Sequence, residues 1–523
     1  MHQSHFTTIA GTFPVLSCAG AAAFEKTFFA NPANDEAVFM ARAARGIADE
    51  AESFFSEIRA RPIRSVAVLA GKGHNAADAL LAAGLLQKRH EGAVVKVLLA
   101  QSPEKMSPVA ARALCALLAA GAQAYAWRGG SGGAGGFAAD GADVLLDGLL
   151  GYNFHPPLCG AFSGIIHWAN ACAEKFKLRI AVDLPSGMGD VPADGGGVVF
   201  HADATIACGI VKAPLLDIRN AAARGRLRFA DIGFPDAEPG VLRAGARALV
   251  TAGPLGGLRA PLADKRDFGH LFILGGSRAL PGALLMNVRA ALRAGVGLLT
   301  VFCPESVHAA FAAAAPEAMW VAWPETPEGA LALEGEHLLR ERLHRATALL
   351  CGSGMGTGGE TQALLRSVSA RAACPLVLDA DALRAEVLES ALLRPAGAPL
   401  VLLPHAGEFA RIAAAGESLR DACTRLEACV ALKGAPTHVA DGGREIVVCA
   451  GGPVLARGGS GDLLAGITGA LFARRLCGDA LQTLATAVAW HGLAADRVAC
   501  RRGSEAVATT ELVDGLGPVL RGE

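Results

Sequence analysis

The chain has 523 residues, more than one hydrophobic core usually supports, so two domains are expected. Its formal net charge is −1 and its arginines are scattered without a basic block, which leaves neither nucleic acid nor a membrane surface as an expected partner. Apolar residues make up 52% but aromatics only 5%, and 64 residues are glycine; this suits buried parallel strands wrapped by alanine-rich helices and excludes a disordered or disulfide-stapled chain.

The thirteen cysteines include no C-x-x-C pair and no histidine cluster at metal spacing. Those inside apolar runs (Cys115, Cys208, Cys351 and Cys449) read as small buried hydrophobes of a reducing compartment. No uninterrupted apolar run reaches the ~18–20 residues of a membrane span. No Lys or Arg precedes Lys26, which argues against a secretory signal, so a cytoplasmic protein is expected.

In chain order, Ser65–Ala70 predicts a strand, Ala76–Lys88 a helix, Val94–Ala100 a strand and Pro108–Ala120 a helix. Val144–Asp147 then predicts a strand, Phe162–Lys175 a helix and Arg179–Asp183 a strand. Such alternation implies a parallel sheet with helices on both faces. The glycine-rich Gly129–Gly136 precedes no helix directly and reads as a surface loop. A Pro, Gly, Ala and Arg seam runs from about Asp236 to Asp264, which places the boundary between domains 1–240 and 241–523.

The rhythm then repeats. Strands are expected at Leu271–Leu274, Leu298–Phe302, Thr347–Cys351, Leu376–Asp379, Pro399–Leu403, Ala428–Leu432, Thr437–Ala440 and Ile446–Cys449. Helices are expected at Ala283–Ala294, Gly461–Phe472 and Leu481–Val498. In open α/β sheets ligands gather at the carboxyl ends of strands, and unusual loops stand there in this block. Arg457-Gly458-Gly459-Ser460-Gly461-Asp462 opens a helix, where glycines admit a phosphate and free N–H groups bind its charge. Asp462 is a poor phosphate ligand; it suits a base accepting a proton from an attacking hydroxyl, or a helix cap. Lys433-Gly434-Ala435-Pro436-Thr437 offers a cation, a close-approach glycine and a hydroxyl to a nucleotide phosphate, or Lys433 serves a structural ion pair. Asp379-Ala380-Asp381 suits Mg²⁺ or a hydroxyl, or caps the next helix, and His405 is a ligand or a satisfied structural histidine.

Gly275-Gly276-Ser277, Pro281-Gly282-Ala283, Leu378–Leu383, Pro404–Phe409, Lys433-Gly434-Ala435, Gly458–Asp462 and His491-Gly492 with Asp496 occur in that order. Together they resemble the ADP-dependent NAD(P)H-hydrate dehydratases, a branch of the ribokinase-like fold, over Lys265 to about Asp496. The first block resembles their usual fusion partner, the NAD(P)H-hydrate epimerases, through Phe39–Ala43, Ala70–Asp78, Leu146–Gly151, Ala181–Gly187 and Asp231–Pro235. The resemblance implies two three-layer α/β domains, Rossmann-like then ribokinase-like, and a homo-oligomer.

It further implies a substrate hydrated at C6 of the reduced nicotinamide, with Ala283, Gly354, His405 and Asp462 lining the dehydratase site. ADP would be held by Lys433, Gly434, Ala435, Pro436 and Thr437 and by Gly458, Gly459, Ser460 and Gly461, with Mg²⁺ of unassigned ligands. In the first block His74, Asn75, Asp78, Gly151 and Asp183 would meet the substrate, Asp183 as acid or base, and Asn75, Asp147 and Ser186 would hold K⁺. Two departures stand out. The family's Asn-Asn-Gly-Gly-Asp-Gly is here His74-Asn75-Ala76-Ala77-Asp78-Ala79, and its Gly-Thr-Gly is Gly151-Tyr152-Asn153. If the backbone needs positive φ there, the alanine β-carbons hinder it. The rival readings are an ATP-dependent vitamin-precursor or sugar kinase, and a non-catalytic first block.

Overall fold

The computed structural model describes residues 12–129, 137, 141–154, 158, 160–190, 198–234, 247–249, 255, 262–395, 397–475 and 478–521. Most of the Asp236–Asp264 seam, all of Gly129–Gly136 beyond Gly129, and His155, Pro156, Pro157 and Pro235 lie outside the described residues. The chain divides into two compact units, Phe13–Ala248 with Cys500–Gly503, and Leu249–Ala499 with Ser504–Glu523.

The first unit carries a seven-stranded sheet of β1 (Ser65–Ala70), β2 (Val94–Leu99), β3 (Gln123–Ala126), β4 (Ala142–Gly148), β5 (Phe176–Val182), β6 (Ala204–Cys208) and β7 (Arg226–Ala230). The order is β3-β2-β1-β4-β5-β6-β7, with every pairing parallel. The chain reverses direction of travel between β1 and β4, and that switch point is where the first site lies. The main helices are α1 (Cys18–Phe29), α2 (Glu36–Ile58), α3 (His74–Arg89), α4 (Pro108–Ala119) and α5 (Gly160–Ala171). Ser17 caps α1 by accepting from Gly20 N–H, Asp35 caps α2 through Ala37 N–H, and Ser107 with Pro108 opens α4. Central strands bury Val66, Val68, Val144, Leu146, Ile180 and Val182 on one face of the sheet. Each such side chain stabilises by roughly 1.5–3 kcal/mol, so these apolar runs decide which segments become strands.

The second unit holds β8 (His270–Leu274), β9 (Leu298–Pro304), β10 (Met319–Trp323), β11 (Ala348–Cys351), β12 (Leu376–Leu378), β13 (Leu400–Leu402), β14 (Ala428–Leu432), β15 (Thr437–Ala440) and β16 (Glu445–Val448). They run β10-β9-β8-β11-β12-β13-β14-β15-β16, parallel as far as β14 and antiparallel through β15 and β16. The antiparallel end arises from two tight turns. One is Lys433–Pro436; the other is Asp441–Arg444, where the Asp441 carboxylate accepts from the Gly443 and Arg444 N–H groups. Helices α6 (Pro281–Arg293), α7 (Glu305–Ala314), α8 (Gly359–Arg371), α9 (Ala406–Ile412), α10 (Ser460–Ala473) and α11 (Ala480–Arg502) complete the layers. Apolar clusters fill both faces of the sheet, with α6, α10 and α11 over one and α8 over the other.

Both units are thus the expected three-layer α/β type. The helix expected over Phe162–Lys175 ends at Ala171 and is followed by a separate short turn, Ala173–Lys175. The strand expected over Arg179–Asp183 starts at Phe176 and stops at Val182, because Asp183 takes a left-handed φ of 64°. The eleven described cysteines are all free thiols; Cys208, Cys351 and Cys449 are buried, but Cys115 lies exposed, on the outer face of α4.

Candidate active sites

In the second unit the loops at successive strand ends are hydrogen-bonded into one surface. Gly276 N–H, after β8, donates to Ser353 O, after β11 (2.9 Å). Gly354 has a φ of 65°, and a β-carbon placed on it would stand 3.0 Å from the Ala283 methyl at the start of α6. Ala283 and Gly354 are therefore neighbours. The Ser353 hydroxyl lies 3.5 Å from Asp379 Oδ2, after β12. Lys433 N–H donates to Pro404 O (2.8 Å), tying the loop after β14 to the loop after β13.

Lys433 Nζ lies 3.0 Å from Asp379 Oδ1 and 3.6 Å from Glu408 Oε2. Burial alone would lower this lysine's pKa; the Asp379 and Glu408 carboxylates outweigh burial and raise it, so the ammonium stays charged. Lys433 is thus the ion-pair partner that one sequence reading gave it. It also reaches the glycine loop, since a β-carbon on Gly461 would stand 3.4 Å from its Nζ.

Asp379 precedes a short 3₁₀ turn, Ala380–Ala382, but its side chain makes no cap to it; it pairs with Lys433 instead. Asp381 accepts from Gly356 N–H (2.8 Å). His405 takes the structural role: its Nδ1 accepts from Gly407 and Glu408 N–H at the start of α9, and Glu408 Oε2 accepts from His405 N–H (2.8 Å). Its side chain is 58% exposed, which leaves the ring's outer edge open to a ligand. Glu408 was not singled out from sequence. Its signal was the spacing from His405, which marks a reciprocal cap.

Gly459, with a φ of 89°, is the N-cap of α10, and Ser460, Gly461 and Asp462 form its first turn. Asp462 is therefore not the cap. Its main-chain carbonyl accepts from Asn287 Nδ2 (2.7 Å), which fixes the turn against α6. Burial, reinforced by Asp379 and opposed by Ser353 and Lys433, pushes the Asp462 carboxyl up to about 6. Within the loop Ser460 Oγ donates to Leu455 O (2.7 Å), Thr509 Oγ1 donates to Gly458 O (2.8 Å) and Thr437 Oγ1 donates to Gly434 O (3.1 Å). Ala435 and Pro436 are joined by a cis peptide bond in that last turn. His491, on α11, is buried, and burial with the Lys433 charge lowers its pKa to about 4. Gly451 N–H donates to Asp496, one turn further along α11 (2.8 Å).

The first unit gathers its candidates at the ends of β1, β4 and β5. Asn75 Nδ2, in the first turn of α3, donates to Leu150 O (2.8 Å). Ser186 Oγ donates to Asp147 Oδ1 (2.6 Å) and accepts from Leu150 N–H (2.9 Å), while Ser186 N–H donates to Asp147 Oδ2 (2.8 Å). Asp147 is fully buried; burial, opposed by hydrogen bonds from Ser186 and from Leu149 N–H, lifts it to about 6, with no cationic side chain among the described residues acting on it. Asn75 and Ser186 both bond to the Leu150 backbone and Ser186 bonds to the buried Asp147; the three side chains carry amide, carboxylate and hydroxyl oxygens, a donor set whose chemistry fits a hard monovalent cation. Among the described residues no group of three or more His, Cys, Asp or Glu is arranged to hold a metal.

Beside this lies a second cluster. Asp183 Oδ1 accepts from the buried Lys212 Nζ (2.5 Å) and from Cys208 N–H (3.1 Å). The ammonium stands over the Tyr152 ring, 5.1 Å from its centroid, and the Tyr152 hydroxyl donates to Glu25 of α1. Gly151 lies against Asn75, where an added β-carbon would stand 3.6 Å from the Asn75 β-carbon. His74 is solvent-facing, 3.5 Å from Glu36. Lys212 and Glu25 were missed from sequence, being remote in the chain from the motifs they join.

Residues 271–517 match the family model described as NAD(P)H-hydrate dehydratase, and residues 36–213 match that described as YjeF-related protein N-terminus. The bifunctional NAD(P)H-hydrate repair enzyme of Moorella thermoacetica is 33% identical over 477 residues, covering 88% of each chain. The chain belongs to the bifunctional NAD(P)H-hydrate repair enzyme family. The ADP-dependent (S)-NAD(P)H-hydrate dehydratase of Xanthomonas campestris is 36% identical over 273 residues, 50% of this chain and 92% of its own. A solved ADP/ATP-dependent NAD(P)H-hydrate dehydratase of Bacillus subtilis, co-crystallised with ATP and Mg²⁺, is 25% identical with a TM-score of 0.43, covering 51% of this chain and 93% of its own.

The departures within this repair-family chain find room. Ala76, Ala77 and Ala79 lie within α3 and are fully buried, and none has positive φ, so the backbone there does not require glycine. Ala79 packs where Gly148 leaves space: a β-carbon on Gly148 would stand 2.6 Å from the Ala79 methyl. Tyr152 is not an intruder but the link between Lys212 and Glu25.

Proposed function

We propose that this chain repairs hydrated NADH and NADPH. The second domain dehydrates the S hydrate at the expense of ADP, giving AMP and phosphate, and the first interconverts the R and S hydrates. The observation that carries this reading is the placement of Asp462, raised to about 6, in the first turn of a helix whose glycine start also receives the Lys433 ammonium. A carboxylate tuned near neutral pH is suited to take the proton of the C6 hydroxyl.

Hydroxide leaves poorly. Asp462 deprotonates the hydroxyl as it attacks the terminal phosphorus of ADP and AMP leaves. The C6–O bond then breaks with its pair on phosphate, the N1 lone pair forming C6=N1, and loss of a C5 proton to the departing phosphate restores the dihydropyridine. The Gly461 and Asp462 amides at the helix start meet the charge of the moving phosphoryl group, since Ser460 N–H is already bonded to Arg457 O. Lys433, oriented by Asp379 and Glu408, neutralises a nucleotide phosphate, and Gly434, Ala435, Pro436, Thr437, Gly458, Gly459 and Ser460 shape the loops around it. Ala283, Gly354 and the outer edge of His405 line the dinucleotide side. Asp379 and Asp381 are engaged within the protein, so Mg²⁺ would be held through the nucleotide phosphates, where it would neutralise their charge.

In the first domain Asn75, Asp147 and Ser186 would hold K⁺, which would supply a fixed positive charge for the hydrated nicotinamide. Asn75, Asp78, Gly151 and Asp183 face that substrate, and the solvent-facing His74 meets it from the outer side. The protein works in the cytoplasm as a homo-oligomer. No helix among the described residues is long and apolar enough to cross a membrane. A vitamin-precursor or sugar kinase is disfavoured because both halves of the chain match repair-enzyme relatives.

Incubation with (S)-NADH hydrate tests the reading. Reduced-nicotinamide absorbance returns with ADP as AMP and phosphate accumulate; a stable phosphoester with ATP would support the kinase instead.

A further inference from the structure

Asp78 stands one turn along α3 from Asn75, on the same face of the helix, and its Oδ1 is buried with no hydrogen-bond partner. A carboxyl left so is costly to ionise, and the group relieves this by keeping its proton. Its surroundings add to that pressure. Asp183 after β5, Glu25 from α1 and Glu36 from α2 act on it with negative charge, and the Lys212 ammonium opposes them. His74, on the same helix, is turned out toward Glu36. Asp183, by contrast, is held on the Lys212 ammonium at 2.5 Å. The pocket therefore holds a buried carboxyl oxygen without a hydrogen-bond partner, suited to give a proton, and a carboxyl paired with an ammonium, suited to take one.

We propose that Asp78 is the proton donor of R/S hydrate exchange and Asp183 its proton acceptor. The assignment rests on the epimerase reading of the first domain. C6 of the hydrate carries both the hydroxyl and the ring nitrogen N1, so exchange needs that carbon to become planar. Asp183 takes the hydroxyl proton, the O–H electron pair forms C6=O, and the C6–N1 bond breaks with its pair passing to N1. N1 takes the proton of Asp78. Rotation about C5–C6 presents the other face, and the reverse steps rebuild the C6–N1 bond and return both protons. No oxidant or co-reactant is consumed. The Tyr152–Glu25 hydrogen bond holds the ring beneath Lys212 and keeps Asp183 paired.

The test uses the full chain with Asp78→Asn, which keeps the shape but cannot give up a proton. R-to-S conversion is followed by chromatographic separation of the hydrates. The catalysed exchange rate falls by about 100-fold or more, while KM for the hydrate and the thermal transition stay close to those of the unaltered protein. Wild-type exchange declines at alkaline pH as Asp78 loses its proton, and that limb is missing from Asp78→Asn. Asp78→Glu, which restores a donor, recovers part of the rate. A full rate in Asp78→Asn, or an unchanged alkaline limb, overturns the assignment. Exchange absent from the unaltered protein would instead remove the epimerase reading beneath it, a result distinguishable from the first.

Discussion

The Lys433 ammonium lies 3.0 Å from Asp379 Oδ1, and these two residues, 54 apart in sequence, tie the end of β12 to the end of β14. The pair fixes a cation beside the first turn of α10. Lys433→Met leaves Asp379 and Glu408 buried with no counter-charge, and is expected to destabilise the protein by on the order of 3 kcal/mol. Adding Asp379→Asn restores part of the loss in a chemical-denaturation measurement. It does not restore ADP affinity, which calorimetry reads separately, and recovery of both would make Lys433 purely structural.

Asp462→Asn separates chemistry from folding. The dehydration rate is expected to drop by about 10²–10⁴-fold with ADP binding retained. In the unaltered protein the rate rises with pH through about 6, as the base ionises, and the variant lacks that rise.

The same residue sets a stability trend. Asp462 holds its proton up to about 6 when folded, against an ordinary value of 3.8. Between those values the folded state binds more protons, so stability falls as pH rises through the window and the cost is constant above it. Asp462→Asn is therefore more stable at neutral pH, by on the order of 1–2 kcal/mol, and the gain disappears below pH ~4. Denaturant titrations at the two pH values decide this; a destabilised variant at neutral pH would count against it.

For the cation site, K⁺ is expected to raise the thermal transition of the first domain above its value in Na⁺. Asp147→Asn, which removes the buried charge, abolishes the difference. Equal transitions in the two salts would remove K⁺ from the proposal.

Gly459→Ala places a side chain at a φ of 89° and against Met286. The expected cost is about 1–3 kcal/mol, together with weaker ADP binding, because the glycine loop shifts to relieve the clash. Thermal denaturation and nucleotide titration measure the two effects.

The central strands were legible because Leu, Val and Ile runs bounded by glycine or acidic loops have few other fates in a buried parallel sheet. Ser65–Ala70, Ala428–Leu432 and Thr437–Ala440 form as read. The segments missed lack that signature. Gln123–Ala126 is a largely exposed edge, Met319–Trp323 an aromatic one, and Arg226–Ala230 carries two arginines. The glycine loop, the lysine loop and Asp462 could be singled out because their chemistry is local: a helix start, a cation and a carboxylate in one short stretch.

What the sequence by itself determined is the two-block α/β order and the motifs that place a phosphate-type site before α10. Only the tertiary structure decided which polar group does which job. Asp379 pairs rather than caps, His405 caps, Glu408 joins Lys433, and Tyr152 bridges Lys212 and Glu25. The physical reason is that a buried charge or hydrogen-bonding group takes whatever partner the packed strand ends bring near it, and those ends come from distant parts of the chain.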